Sequence, residues 1–233
     1  MGKREDIRLK RQRAQNRQRI TIIAIIAGFA LLIAAVLIWP SLQPVGDIAT
    51  PESFPRPNAQ GLAMGDPDAP VHVEEFADFQ CPGCQNFWQN MEHQIVTDYV
   101  ETGKAYFTFT PLSFIDDNAA TKESDNSAAA AYCAGDQNKF WEYHDFLFAN
   151  QTGENIGAFN DRRLSAFASE AGLDSNAFNQ CYNGGKYKQQ VIDNMTYSQE
   201  NQVYQTPSFL VNGTLVTADL LAQTIDAELA KAQ

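Results

Sequence analysis

A strand-like stretch that runs straight into a closely spaced pair of cysteines limits this chain more than any other feature. Val71, Val73 and Phe76 give the start of the stretch an apolar, β-type pattern, and Cys81-Pro82-Gly83-Cys84 follows where the chain turns into the helical-looking segment 85–100. That order puts Cys81 at a helix N-terminus. Unpaired backbone N–H groups and the positive end of the helix dipole there favour a thiolate over a thiol, which makes a cysteine reactive near neutral pH. Pro82 suits the first helical turn, where a missing N–H has no consequence.

With 233 residues the chain has room for one domain and an appendage. Residues 20–39, from Ile20 to Trp39, form a charge-free run of 20 residues, long enough to cross a bilayer as a helix. The run exceeds a signal-peptide core, and no small-x-small pattern follows at Pro40-Ser41-Leu42, so an uncleaved anchor in the lipid bilayer is expected. Eight basic residues precede it (Lys3, Arg4, Arg8, Lys10, Arg11, Arg13, Arg17, Arg19) against Glu5 and Asp6, while the remainder has 9 basic and 26 acidic residues. Basic residues stay on the cytoplasmic side, which predicts a cytoplasmic tail over 1–19 and an acidic catalytic domain outside the cell membrane. The tail's charge reads as an orientation or lipid-contact signal, and so acidic an outer domain argues against nucleic acid as a partner.

Past the anchor, residues 40–63 are rich in proline (Pro40, Pro44, Pro51, Pro55, Pro57) and read as an extended linker reaching about 25 Å as a coil. The domain is expected over 64–233. After the helix that follows the cysteines, Gly103 marks its end and Ala105 to Leu112 alternates as a second strand. Helical patterns then dominate: the alanine-rich Ser124 to Cys133, the aromatics of Phe140 to Phe148, an apolar stripe through Leu164, Phe167, Ala168 and Ala171, and a short helix capped by Asp174. A further helix is expected over 186–200. Strand pattern returns at Ser208 to Val211, Asn212-Gly213 signals a tight hairpin, and Asp219 to Lys231 reads as an amphipathic helix. A helical block inserted into a small α/β sheet accounts for this order.

Four cysteines suit an oxidising compartment, and the even count permits three pairings. Cys81 with Cys84 is the natural first pair, leaving Cys133 with Cys181.

Cys-Pro-x-Cys after the first strand and Thr206-Pro207 before the hairpin make the chain resemble the thioredoxin superfamily, in particular its DsbA-like branch, which carries a helical insertion between the two halves of its sheet. The resemblance runs over about 61–229 through Glu75-Phe76-Ala77-Asp78-Phe79-Gln80-Cys81, Phe140-Trp141-Glu142-Tyr143-His144-Asp145, Gly172-Leu173-Asp174 and Thr206-Pro207-Ser208-Phe209. It implies a thioredoxin fold with a helical insertion over about 118–184, preceded by the transmembrane helix. It also implies a protein disulfide oxidoreductase that needs no cofactor. Cys81 would be the exposed, attacking sulfur and Cys84 its buried partner, with Pro82 and Gly83 as the active-site dipeptide. Pro207 would be the family's cis-proline beside the disulfide, and Thr206 would offer backbone groups to an extended substrate. Glu75, six residues before Cys81, matches the family's buried acid, which relays a proton to or from Cys84. Oxidation of cysteine pairs in exported proteins, with re-oxidation by a quinone-linked membrane partner, is the activity this resemblance implies. The chain departs from the pattern in having no histidine between its cysteines, Gln205 before Thr-Pro, and Thr217-Ala218 in place of a frequent Gly-Ala.

Plainer readings stand beside these. A lone Cys-x-x-Cys is also half a zinc site, but Cys133, Cys181, His72, His93 and His144 show no second closely spaced pair, so no metal is expected. A copper(I) carrier is the non-enzymatic alternative, and a reductase or isomerase the enzymatic one. For Cys133 and Cys181 the plain reading is a structural disulfide between helices of the insertion. Glu74 and Glu75 are adjacent on a strand, so one of the two faces inward. Asp78 is placed to hydrogen-bond near the active-site turn, and His144 reads as a packed core residue.

Overall fold

Alternation along β2 (Val71–Ala77) turns Val71, Val73, Glu75 and Ala77 to one buried face, while His72 is exposed and Glu74 half-buried on the other. The computed structural model describes residues 2–42, 44–116 and 121–232, in two units, 1–46 and 47–233. The first unit is essentially one helix, α1 (Lys3–Leu42), within which Asn16–Trp39 is long and apolar enough to span a membrane. Thr21, a hydroxyl inside that run, donates to the Arg17 carbonyl at 2.9 Å, so its polar group is satisfied within the helix.

In the second unit β2 lies at the centre of a five-stranded sheet of order β1-β3-β2-β4-β5. β3 (Ala105–Pro111) runs parallel to β2, whereas β1 (Ala63–Met64), β4 (Ser208–Val211) and β5 (Thr214–Val216) pair antiparallel with their neighbours. The β4–β5 turn is Asn212-Gly213, with φ of 46° and 81°, which is the left-handed pair a two-residue hairpin needs. Register puts Glu75 opposite Phe109 on one side and Phe209 on the other. A carboxyl at the centre of the sheet is thus flanked by two phenyl rings.

After β2 the chain enters a helical run, residues 82–100. It consists of α2 (Pro82–Phe87), a π-helical turn (Trp88–Glu92), α3 (His93–Ile95) and a second π-helical turn (Val96–Val100). Between β3 and β4 come α4 (Glu123–Gly135), α5 (Phe140–Ala149), α6 (Asp161–Glu170), α7 (Ser175–Asn183) and α8 (Lys188–Glu200). Small side chains at Ala128, Ala130, Ala131 and Ala134 are buried on α4, which lets neighbouring helices approach it closely. Asp174 caps α7 by accepting from Ala177 N at 2.8 Å, as the sequence indicates. The closing helix α9 (Leu221–Lys231) buries Leu221 and Ile225.

After the expected end of the insertion at about 184, Asn194 on α8 donates to the Pro111 carbonyl at 2.8 Å, and Tyr197 donates to Glu74 at 3.0 Å, which draws α8 onto the sheet. The insertion's expected start at 118 falls outside the described residues. One boundary differs from that expected, the extended linker over 40–63: α1 continues to Leu42, and from Asp47 the chain belongs to the folded unit. Asn150, the C-cap of α5, both donates to Ala49 O and accepts from Ala49 N at 2.8 Å, and Trp141 donates to Ala63 O at 3.2 Å. Prolines removed the periodicity by which the segment is read, while side chains of α5 supply its hydrogen bonds.

Cys133 on α4 and Cys181 on α7 are joined, closing a loop with a sequence separation of 48. Replacing both with serine is expected to lower unfolding free energy by up to about 4 kcal/mol through regained chain entropy, with the thiol-exchange rate kept. Denaturant titration beside an exchange assay checks this; lost turnover at unchanged stability would assign the pair a redox role instead.

Candidate active site

The loop between β2 and α2 is fixed before it reaches the cysteines. Asp78, fully buried, accepts from Gln80 N at 2.8 Å, Ser124 Oγ at 2.7 Å and Ile115 N at 3.0 Å, and its carbonyl accepts from Cys81 N at 2.9 Å. Burial pushes the Asp78 carboxyl up to about 7 despite these donors. The Gln80 side chain donates to Ser124 Oγ at 2.8 Å and accepts from Asn155 N at 2.7 Å. Both residues tie the turn to the helical insertion, which is how the insertion positions the cysteines.

Cys81 is the N-cap of α2 and Pro82 opens its first turn. Both active-site thiols are free; Cys81 is half-buried and Cys84 is fully buried. The Cys84 thiol donates a hydrogen bond to the Cys81 sulfur, and this contact does most to lower the Cys81 pKa, to about 6 from an ordinary 9.0. Burial opposes that shift, while the Thr206 side chain and the backbone N–H groups of Cys84 and Gly83 add to it. The Thr206 carbonyl, 3.4 Å from the Cys81 sulfur, accepts from the thiol form and so works the other way. With several donors against one acceptor, the thiolate is favoured. Cys84 moves in the opposite direction: burial first, then the hydrogen bond to Cys81 and the charges of Cys81 and Glu75, raise its pKa well above the ordinary value.

The Thr206–Pro207 peptide is cis and faces this pair across Gly83. A Cβ at position 83 would stand 3.2 Å from Pro207 Cδ and 3.6 Å from the Cys81 sulfur, so glycine lets the proline wall close onto the thiols. Glu75 lies beneath them, 1% exposed, with Oε2 accepting no hydrogen bond from the described residues. Burial first, then the Glu92 charge, raise the Glu75 pKa well above the carboxylate range, against the pull of Arg56. The fold therefore brings Glu75, Cys81, Pro82, Gly83, Cys84, Thr206 and Pro207 together; Cys133 and Cys181 belong to the insertion. Among the described residues no three His, Cys, Asp or Glu side chains group as metal ligands.

Beneath Glu75 is a charged cluster that the sequence reading missed. Arg56 contacts Glu92 through Nη1 and donates to Asp145 Oδ1 through Nη2 at 2.6 Å. Its guanidinium lies against the rings of Phe54 at 3.9 Å and Trp141 at 4.6 Å. Asp145 Oδ1 also accepts from Trp88 Nε1 at 2.9 Å and meets His144 Nδ1 at 2.9 Å. A usable sign of this cluster was the i, i+4, i+8 spacing of Cys84, Trp88 and Glu92, which sets an acid in line with the buried thiol.

Iodoacetamide labelling of the reduced protein is expected to follow a Cys81 thiolate fraction with a midpoint near pH 6, with Cys84 protected until unfolding. A depressed folded-state pKa contributes stability that is lost as pH falls through the folded value. The reduced form should thus lose stability relative to the oxidised form as pH falls from 8 toward about 6. Paired denaturant titrations across that window test the sign.

Comparison with known proteins identifies the family. The family model described as "Thioredoxin" matches residues 58–230. "Probable disulfide bond formation protein D" of Bacillus anthracis is 30% identical over 175 residues, covering 72% of this chain and 78% of that protein. The oxidised crystal structure of DsbA from Mycobacterium tuberculosis is 28% identical, with a TM-score of 0.57 over 73% of this chain and 95% of its own. BdbD from Bacillus subtilis, 23% identical, shares the fold with a TM-score of 0.63 over 79% of this chain and 100% of its own. Two cysteines of opposed acidity at a helix N-terminus, on a scaffold shared with these enzymes, establish that the chain belongs to the thioredoxin family as a DsbA-like thiol:disulfide oxidoreductase.

Proposed function

We propose that this chain is a membrane-anchored oxidase of cysteine pairs in exported proteins, with residues 20–39 in the bilayer, residues 1–19 in the cytoplasm and the catalytic domain outside. Orientation is supported by the excess of basic residues before the apolar helix and of acidic residues after it. The direction of electron flow is supported by one observation above the others. The Cys84 thiol first, then the Thr206 side chain and the backbone N–H groups of Cys84 and Gly83, hold the Cys81 pKa down at about 6 against burial. Stabilising the reduced thiolate lowers the free energy of the dithiol form, which makes the disulfide a stronger oxidant.

A substrate thiolate attacks the Cys81 sulfur, the Cys81–Cys84 bond breaks, and Cys84 leaves as a thiolate. Glu75, kept protonated by burial, gives that thiolate its proton. A second substrate thiolate then attacks the substrate sulfur of the mixed disulfide, and Cys81 departs as the stabilised anion. Thr206 and Pro207 line the substrate's approach, while Pro82 and Gly83 hold the two sulfurs against that wall. Re-oxidation falls to a quinone-linked membrane partner, which the anchor keeps at high effective concentration.

The decisive measurement is the reduction potential of the Cys81/Cys84 couple in redox buffers, beside oxidative refolding of a reduced test protein. A value well above the roughly −270 mV of thioredoxin, toward the about −120 mV of a strong oxidant, is expected. A thioredoxin-like value would reassign the protein as a reductase.

A further inference from the structure

One buried acid of the active-site loop has no part in the steps above. Asp78 is fully buried, and its backbone reaches both cysteines: the carbonyl accepts from Cys81 N at 2.9 Å, and the N–H group works against the rise that burial imposes on the Cys84 thiol. Whatever holds Asp78 therefore also holds the turn on which the two sulfurs stand. Its side chain faces donors. Gln80 N at 2.8 Å and Ser124 Oγ at 2.7 Å reach Oδ1, and Ile115 N reaches Oδ2 at 3.0 Å. The three come from the turn itself, from α4 and from the loop after β3.

Among the described residues no cation pairs with this carboxyl. Asp116, from the loop after β3, is the charged group that faces it and disfavours its ionisation, and Asp116 in turn feels Asp125 and Lys122 of α4. Asp116 is likewise buried, and it accepts from Ser124 N at 3.1 Å, Asp125 N at 2.8 Å and Gln80 Nε2 at 3.2 Å. Two buried carboxyls thus share Ser124 and Gln80. Burial lifts the Asp78 carboxyl to about 7, so both of its protonation states are populated near neutral pH. A backbone N–H can only donate, whereas a hydroxyl donates or accepts. Of the three partners only Ser124 can therefore stay bonded to Asp78 in both states, donating to the carboxylate and accepting from the acid. Its Oγ also accepts from Gln80 Nε2 at 2.8 Å, which closes the contacts back onto the residue before Cys81.

We propose that Asp78 and Ser124 are positioning residues of the exchange reaction, a clasp between the helical insertion and the active-site turn that holds the Cys81 sulfur against the Cys84 thiol, the first turn of α2 and the Thr206–Pro207 wall. The clasp acts on exchange at Cys81 in either direction of electron flow. Its effect passes through the backbone: once it opens, the Asp78 carbonyl is free to leave Cys81 N, the first turn of α2 loosens, and the Cys81 sulfur loses the donors which that turn keeps in place. A buried acid that only held the fold together would change stability and leave the sulfur's acidity as it was.

The test is the rate of iodoacetamide labelling of the reduced, full-length protein across neutral pH for the wild type, Ser124→Ala and Asp78→Asn, beside denaturant titration of each. Ser124→Ala deletes one oxygen from α4. Asp78→Asn keeps the shape but sets an NH2 group against a donor whichever way the amide is turned. Each is expected to raise the Cys81 midpoint from about 6 by about one unit, which slows labelling at pH 6 roughly fivefold, while the three rates converge in alkali where the sulfur is ionised in each. Unchanged midpoints in both variants, with only lower resistance to denaturant, would make the clasp a feature of the fold alone and overturn the proposal. So would a rate lowered by one factor at every pH, since that reports lost access rather than lost thiolate. Where Asp78→Asn does not fold, Ser124→Ala decides alone: a raised midpoint supports the clasp, and a midpoint kept near 6 overturns it. Labelling is indifferent to the direction of electron flow, so the outcome stands apart from the oxidase assignment.

Discussion

The unequal solvation of two sulfurs three residues apart governs this structure. Cys84 is sealed beneath the first turn of α2, where ionisation is costly, and it directs its hydrogen to Cys81 at the rim. One group's burial is thereby converted into the other's acidity. A helix N-terminus alone would favour a thiolate at position 81, but the donor from below makes the two thiols opposite in character. Thiol-disulfide exchange needs that opposition, since one sulfur must be reachable and a good leaving group while the other remains hidden.

Holding such an arrangement requires polar groups in the core, and the fold satisfies most of them in layers. Around the turn, Asp78 and Gln80 bind backbone and side-chain groups from the loop after β3, from α4 and from the segment around Asn155. Under the thiols, Phe109 and Phe209 flank Glu75 by strand register and keep water from its carboxyl. Deeper still, Arg56 is clasped by two carboxylates and two aromatic faces. Removing one member of such a buried ion cluster leaves the others uncompensated, at a cost of about 3–5 kcal/mol. The segment from Asp47 to Ala63 is consequently part of the folded unit that holds the site, since it carries Arg56, the partner of Glu92 and Asp145.

The insertion has a matching role. Its α5 delivers Trp141, His144 and Asp145 to the cluster, and α4 delivers Ser124 to the turn. Phe79, Phe109, Phe140, Trp141 and Phe148 surround His144 with ring centroids 4.8 to 5.9 Å away. So enclosed, the imidazole is sealed from solvent, with Nδ1 against Asp145.

What the sequence determined by itself was whatever short-range patterning can encode. Alternation marks β2 and turns one of Glu74 and Glu75 inward, Cys-Pro-Gly-Cys marks a helix start, Asp174 a cap, Asn212-Gly213 a hairpin, and an uncharged run of 20 residues a helix able to span a bilayer. Each depends on neighbours within a few positions, so each was legible. Tertiary structure alone decided the pairings across long separations. The Thr206 carbonyl meets Cys81 across 125 residues, Arg56 meets Asp145 across 89, and α8 settles onto the sheet through Asn194 and Tyr197. The physical reason is that a buried charge takes its meaning from its partners. Neither the acidity of Cys81 nor the protonation of Glu75 exists in the unfolded chain, and both arise when folding replaces water with those distant groups.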